Sequence, residues 1–161
     1  MFDLKNTSLL LGALLKEKCQ TVAVAESSAG GLISAALLAV PGASSYFKGG
    51  GVVYTSQSKV LLAEVAAEEM DKNRAATELH ALAPARAIKK RLGADWGIGD
   101  IGAAGPTGNR YGDPPGHTCI GISGPNEETI TLTTGSMDRA ANMQAFAEAA
   151  IELLRSCAEK S

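Results

Sequence analysis

Ser27 stands where an alternating run, Thr21-Val22-Ala23-Val24-Ala25, gives way to Gly30-Gly31 and a second apolar segment, and Lys59 follows a run that ends at Tyr54. A serine hydroxyl beside an amine that burial can deprotonate is the minimum apparatus for nucleophilic attack on an amide. To act as a base near neutral pH, such a lysine must titrate about 2 to 3 pH units below its ordinary value, through desolvation or a neighbouring cation. Each residue also has an ordinary use. Ser27 reads as a helix N-cap with glycines that permit close packing, Lys59 as a solvated surface lysine, and Tyr54 as a half-buried strand aromatic or a hydroxyl donor. In the first turn after Ser27, unpaired backbone N–H groups could hold a developing oxyanion or a phosphate.

A second loop, Gly102-Ala103-Ala104-Gly105-Pro106-Thr107-Gly108, follows an apolar run, and its backbone could approach a phosphate or ribose closely. Neither GxGxxG nor GxxxxGK[ST] occurs, so nucleotide binding in either of those modes is disfavoured. His117 and Asp113 fall just past the loop, and a His beside Gly116 at a strand start is an ordinary structural position. His80 lies in a helical stretch with no ligand-type residue four positions on, so no metal site and no cofactor are expected. Cys19, Cys119 and Cys157 are odd in number and widely spaced, which argues against a disulfide framework or a zinc site and reads as reduced packing residues.

With 15 basic and 17 acidic residues, a net charge of −2 gives no footing for a nucleic-acid binder. The stretch from Met1 to Leu15 shows no leader-like pattern and no apolar run of about 20 residues. The expectation is a cytoplasmic protein with no membrane partner.

The elements that must position these residues follow from periodicity. Helices are expected over Leu4–Lys18, Gly30–Val40, Thr77–Leu92 and Arg139–Lys160, with short pieces at Ser58–Ala63 and Ala66–Lys72. Pro84 should bend or divide the third of these helices. Strands are expected over Thr21–Ala25, Gly49–Tyr54, Ala94–Ile101, His117–Ser123 and Thr129–Thr134, the last two joined through Gly124-Pro125-Asn126. At 161 residues and 45% hydrophobic content, this is one α/β domain, three layers deep, around a mixed, partly antiparallel sheet of about five strands.

The ordered segments AESSAGG, VPGASSYFKGG, VVYTSQSK, RLGADWGIGDIGAAGP and DPPGHTCIGIS together resemble the C-terminal domain of the CinA (competence/damage-inducible) family, from about Leu9 to the final helix. The stand-alone form of that domain is nicotinamide mononucleotide (NMN) deamidase. The resemblance implies that Ser27 is the nucleophile, Lys59 its general base and Tyr54 a catalytic partner. It extends substrate contacts to Ser28, Gly30, Gly31, Tyr46, Gly102, Ala104 and Gly105. The implied reaction converts NMN to nicotinic acid mononucleotide and ammonia without a metal. The expected assembly is a homo-oligomer, a dimer by preference.

Three departures accompany the likeness. The family's Cys-Thr after the nucleophile is Ser28-Ala29, its Ser/Thr before G-x-A-G-P is Ile101, and its glycine-rich stretch after G-P is Thr107-Gly108-Asn109-Arg110-Tyr111-Gly112. Two alternatives therefore stand beside NMN deamidation: hydrolysis of a different small amide in a reshaped pocket, or a catalytically silent domain that binds a ligand or partner.

Overall fold

The computed structural model describes residues 4–161. Met1, Phe2 and Asp3, part of the stretch read above as leaderless, lie outside the described residues. The chain runs α1 (Leu4–Glu17), β1 (Val22–Glu26), α2 (Leu32–Leu38), a 3-10 turn (Ala43–Ser45), β2 (Phe47–Val52), α3 (Ser56–Ala63), α4 (Ala67–Lys72), α5 (Glu78–Leu92), β3 (Trp96–Ala103), β4 (His117–Ser123), β5 (Glu128–Thr133) and α6 (Arg139–Glu159).

The five strands form one sheet in the order β2-β1-β3-β4-β5. β1 pairs in parallel with β2 and β3, whereas β3, β4 and β5 pair antiparallel. The expected mixed sheet and three layers are present. β1 lies between two strands and under helices on both faces, so all five of its residues are buried. Val22 to Ala25 are accordingly all short and apolar, with no alternation of burial along the strand.

Strand alternation divides the core in two. Val22, Val24, Trp96, Ile98, Ile120 and Ile122 face α1, α2 and α6, where Leu11, Leu15, Ile33, Phe146, Ile151 and Leu154 meet them. Ala23 and Ala25 face the layer of α3, α4 and α5, with Ala63, Met70, Ala83 and Ile88. α5 approaches this face very closely. A Cβ on Gly97 would lie 2.0 Å from the Ala85 carbonyl oxygen, and one on Gly99 2.2 Å from that of Ala81. Glycine in β3 thus seats α5 directly on the sheet, and α5 runs unbroken through Pro84, which does not divide it.

Several boundaries differ from the sequence expectation. α2 begins at Leu32 rather than Gly30, because Gly30 and Gly31 take φ of +66° and +102° and turn the chain before the helix starts. β2 begins at Phe47 and stops at Val52, and Tyr54 lies in the loop that follows. β3 continues to Ala103 through its antiparallel pairing with β4. Among the described residues no helix is long and apolar enough to cross a membrane.

Candidate functional site

Ser27 follows the last residue of β1 and is nearly enclosed, with 4% of its surface exposed. Its position is fixed through the backbone by a fully buried carboxylate. Asp100 of β3 accepts hydrogen bonds from the Ser27 N–H at 2.6 Å, the Ala29 N–H at 2.9 Å and the Ser28 hydroxyl at 2.5 Å. Thr118 Oγ1 lies 3.2 Å from the Ser28 oxygen and donates to the Ile101 carbonyl. The Ser27 hydroxyl itself makes no hydrogen bond to a described residue.

A second buried carboxylate completes the turn. Glu26 accepts from the N–H groups of Gly31, Ile33 and Ser34 and from the Ser34 hydroxyl, at 2.6 to 3.0 Å. The N-terminal donors of α2, expected to be open to an oxyanion or a phosphate, are therefore already taken by the protein's own carboxylate. This corrects the roles expected for Gly30 and Gly31, which shape the turn and do not line the cleft described below. In the Ser27–Gly31 turn, the Ser28 N–H has no partner among the described residues.

Lys59 arrives from α3. Thr55 caps that helix reciprocally: its hydroxyl accepts from the Ser58 N–H at 3.1 Å while its own N–H donates to the Ser58 hydroxyl at 2.9 Å. The cap sets the phase of the helix so that Lys59 lies on its inner side, 2% exposed, among the most buried side chains of the molecule. Its amine forms no ion pair or hydrogen bond with a described residue. Burial pushes its pKa below the ordinary lysine value, against the pull of the Asp100 carboxylate. Burial likewise pushes the Asp100 pKa up, opposed by its bonds to Ser28, Ser27 and Ala29, with Glu26 adding a like-charge push in the same upward direction.

Ser27 and Lys59 do not touch through a hydrogen bond. The register Ala25↔Gly99, continued by two residues, sets Ser27 level with Ile101 at the end of the sheet to which α5 brings its N-terminal turn. Beside them opens a polar cleft of about 260 Å³ lined by Ser28, Tyr54, Gly102, Ala104, Gly105, Asn109 and Arg139, among others. Ser27 stands one residue behind that wall. Tyr54 is 61% exposed at the cleft mouth, where its hydroxyl is free to meet a ligand rather than fill the core. A larger, mostly apolar groove of about 590 Å³, lined by Leu4, Lys5, Ser8, Leu9, Val40 and Pro41 among others, shares no residue with this cleft, and its one serine, Ser8, donates its hydroxyl to the Leu4 carbonyl.

Tyr46, expected among the substrate contacts, sits at the opposite end of the sheet. Its carbonyl accepts from Val22 at the start of β1, and its buried hydroxyl donates to the Leu37 carbonyl at 2.5 Å. It is a core residue. Ile101 faces α5 and packs with Ala81 and Cys119, and it does not line the cleft. Ala29 lies in the main core. Ala29 and Ile101 thus fill apolar space, and the hydroxyl of Ser28 is bound to Asp100.

Arg139 and Asn142 of α6 were not singled out by the sequence reading. Arg139 donates to the Gly105 carbonyl at 2.7 Å, and Asn142 to the Ala104 carbonyl at 2.7 Å, so the start of α6 holds the glycine-containing loop at the cleft. Arg139 is the one cation on that wall. Among the described residues no group of three His, Cys, Asp or Glu side chains is placed to hold a metal ion.

Residues 5–158 match the family model of the CinA C-terminal domain. The chain belongs to the CinA C-terminal domain family. It is 44% identical over 137 residues to a CinA-like protein of Synechocystis sp., covering 85% of this chain and 33% of that protein. A CinA-like protein of Crocosphaera subtropica is 42% identical over 132 residues, covering 81% of this chain and 32% of its own length. The chain thus spans about a third of the length of these curated relatives. A CinA superfamily protein from Klebsiella pneumoniae superposes with a TM-score of 0.92 at 23% identity, covering 99% of both chains. A competence/damage-inducible protein from Agrobacterium tumefaciens gives 0.88 at 25% identity, covering 97% of both. Within the CinA domain, the two buried carboxylates are the parts of the site that the sequence reading passed over. A signal was available: Asp100 and Glu26 are charged residues inside apolar or glycine runs, and a charge in such a strand stays only where several donors meet it.

Proposed function

We propose that this domain is a Ser/Lys amidohydrolase that converts NMN to nicotinic acid mononucleotide and ammonia. The observation that supports it most is Lys59: an amine with no ion pair to a described residue, 2% exposed, whose charged form burial disfavours, in a domain that brings Ser27 to the same end of the sheet. The neutral amine takes the Ser27 proton as Oγ bonds to the carboxamide carbon. The C–N bond then breaks as Lys59 returns that proton to the leaving nitrogen, and ammonia departs. Water hydrolyses the acyl-enzyme and restores the serine. The Arg139 guanidinium supplies the cleft with a cation suited to a mononucleotide phosphate.

The catalytically silent reading has an observation of its own. Asp100 occupies the N–H groups of Ser27 and Ala29, two donors that a Ser27 oxyanion would otherwise use. Ammonia release from NMN, measured beside a panel of other small carboxamides, separates the readings. Turnover of NMN with a KM that rises about tenfold or more in Arg139→Ala, at little-changed kcat, supports the proposal. Turnover of another amide alone moves the substrate. Saturable binding of NMN without ammonia release refutes the enzyme and leaves the binding domain.

A further inference from the structure

His80 lies in the first turn of α5, 2% exposed. Its Nδ1 is 3.0 Å from the Asn73 carbonyl oxygen. A carbonyl only accepts, so this contact places the proton on Nδ1 and leaves Nε2 with a lone pair. That Nε2 is buried and has no hydrogen-bond partner. Orphaned buried acceptors are uncommon, and each one calls for an account. α5 runs antiparallel to β3 with Ala81 against Gly99, so its first turn lies over the end of the sheet where Ser27 stands. α3 packs on α5, and Lys59 is the one charged group that acts on His80, lowering its pKa in the same direction as burial does. Three polar groups that make no hydrogen bond to a described residue therefore lie toward one end of the sheet: the Ser27 hydroxyl, the Lys59 amine and His80 Nε2, the last of them a fully buried atom.

We propose that His80 is a positioning residue of the Ser27–Lys59 centre: its Nε2 accepts a hydrogen bond from the Lys59 amine through one bridging water, and so aims the amine's lone pair at Ser27. A neutral amine has two N–H donors and one lone pair, and rotation about Cε–Nζ leaves the lone pair undirected unless a donor is held. His80 gains no proton in the cycle. The proton of Ser27 passes to Lys59 and on to the leaving nitrogen, while the imidazole keeps its own on Nδ1. As Lys59 becomes an ammonium, its bridged bond to Nε2 strengthens, which favours the step. The groups facing Lys59 are then Asp100 from β3, which favours the ammonium, and His80 from α5, which does so only while neutral.

The role in turnover rests on the amidohydrolase reading, but the contact is testable without it. His80→Asn keeps a donor for the Asn73 carbonyl and loses the acceptor at the Nε2 position, whereas His80→Gln keeps an acceptor there. With 13C,15N-lysine labelling, the Lys59 titration midpoint followed by NMR should fall by about 0.5 to 1 pH unit in His80→Asn, the worth of one hydrogen bond to the charged form, and stay within about 0.3 in His80→Gln. kcat on NMN should fall about tenfold in the first variant with KM unchanged, and recover in the second. An unmoved Lys59 midpoint in folded His80→Asn overturns the proposal. So does a long-range 1H–15N spectrum of the unaltered protein that shows Nε2 protonated, a measurement that stands if either variant fails to fold. A midpoint that shifts in a protein releasing no ammonia from NMN refutes the amidohydrolase reading and leaves the Lys59–His80 contact in place.

Discussion

Replacing Lys59 by methionine tests the charge state on which the mechanism depends, because the two possible states predict opposite changes in stability. The side chain is 2% exposed, forms no ion pair with a described residue, and differs from methionine mainly in its terminal amine. If the resting amine is neutral, the substitution removes from an enclosed position a polar group that no described residue hydrogen-bonds directly, a relief of up to about 1 to 3 kcal/mol. For a domain of 161 residues, at about 2 to 4 °C per kcal/mol, the melting temperature should rise by about 2 to 12 °C. If the amine is instead charged and compensated by Asp100, removing it strands a buried carboxylate and should cost about 3 to 5 kcal/mol. The pH dependence has a definite sign. Folding lowers the Lys59 pKa, so between the folded and the unfolded value near 10.5 the unfolded chain holds the extra proton, and wild-type stability rises with pH. The advantage of Lys59→Met should therefore shrink as pH climbs from 7 toward 10. Urea unfolding of both proteins at several pH values reads this directly, and ammonia release from NMN should be lost in the variant. A less stable Lys59→Met protein, or a gap that widens with pH, refutes the neutral-base argument.

Ser27→Ala should change stability by no more than about 0.5 kcal/mol, since the hydroxyl has no partner and Asp100 holds the backbone, while ammonia release falls by about 10³-fold or more; over a tenth of wild-type turnover would remove Ser27 as nucleophile. Ile101→Thr places a hydroxyl in the cluster with Ala81 and Cys119 and should lower stability by about 1 to 3 kcal/mol with no gain in kcat/KM, so a faster enzyme of unchanged melting temperature would show that Ile101 faces the substrate. Gly99→Ala drives a Cβ to 2.2 Å from the Ala81 carbonyl oxygen, and a loss of about 1 to 3 kcal/mol in urea unfolding is expected as α5 is forced off the sheet; a neutral result would contradict the close seating of that helix.

The parts of the fold carried by local periodicity were legible in the sequence. β1 and α6 fall where alternation and helical spacing place them, because each buries a stripe that its own residues define. Lys59 was legible as a candidate only by motif, since a surface lysine and a buried base look alike until the Thr55 cap sets the helix phase. Arg139 was not legible: it reaches the cleft across 34 residues of chain, through a contact to a backbone carbonyl that leaves no mark on composition. Tyr46 shows the converse error. Its place in an ordered motif put it near the substrate, yet the chain between β1 and β2 returns it to the opposite end of the sheet, where its hydroxyl caps the end of α2. Motif order fixes neighbours along the chain, and parallel strands carry those neighbours to opposite ends of the molecule.

The two buried carboxylates set the electrostatics in which any reaction at Ser27 must run. Asp100 and Glu26, both fully enclosed, accept seven hydrogen bonds between them and hold the whole Ser27–Ser34 turn rigid before a ligand arrives. In the proposed mechanism that rigidity favours catalysis, since the attacking serine need not be ordered in the transition state. Their negative charge acts the other way on an oxyanion, which must find its donors at the free Ser28 N–H or across the cleft rather than in the helix end. Asp100 resolves part of that conflict through Lys59. In the proposed mechanism, the serine proton moves to the amine and a cation forms within the field of Asp100, so the carboxylate that opposes the oxyanion favours the ammonium created in the same step. Asp100→Asn should accordingly damage turnover beyond its cost in stability. Asparagine keeps one acceptor for the turn but removes the charge, leaving the Lys59 amine a weaker base with a still lower titration midpoint. If Lys59 titrates at the same pH in Asp100→Asn as in the wild type, by lysine NMR, the carboxylate serves the turn alone and this electrostatic account fails.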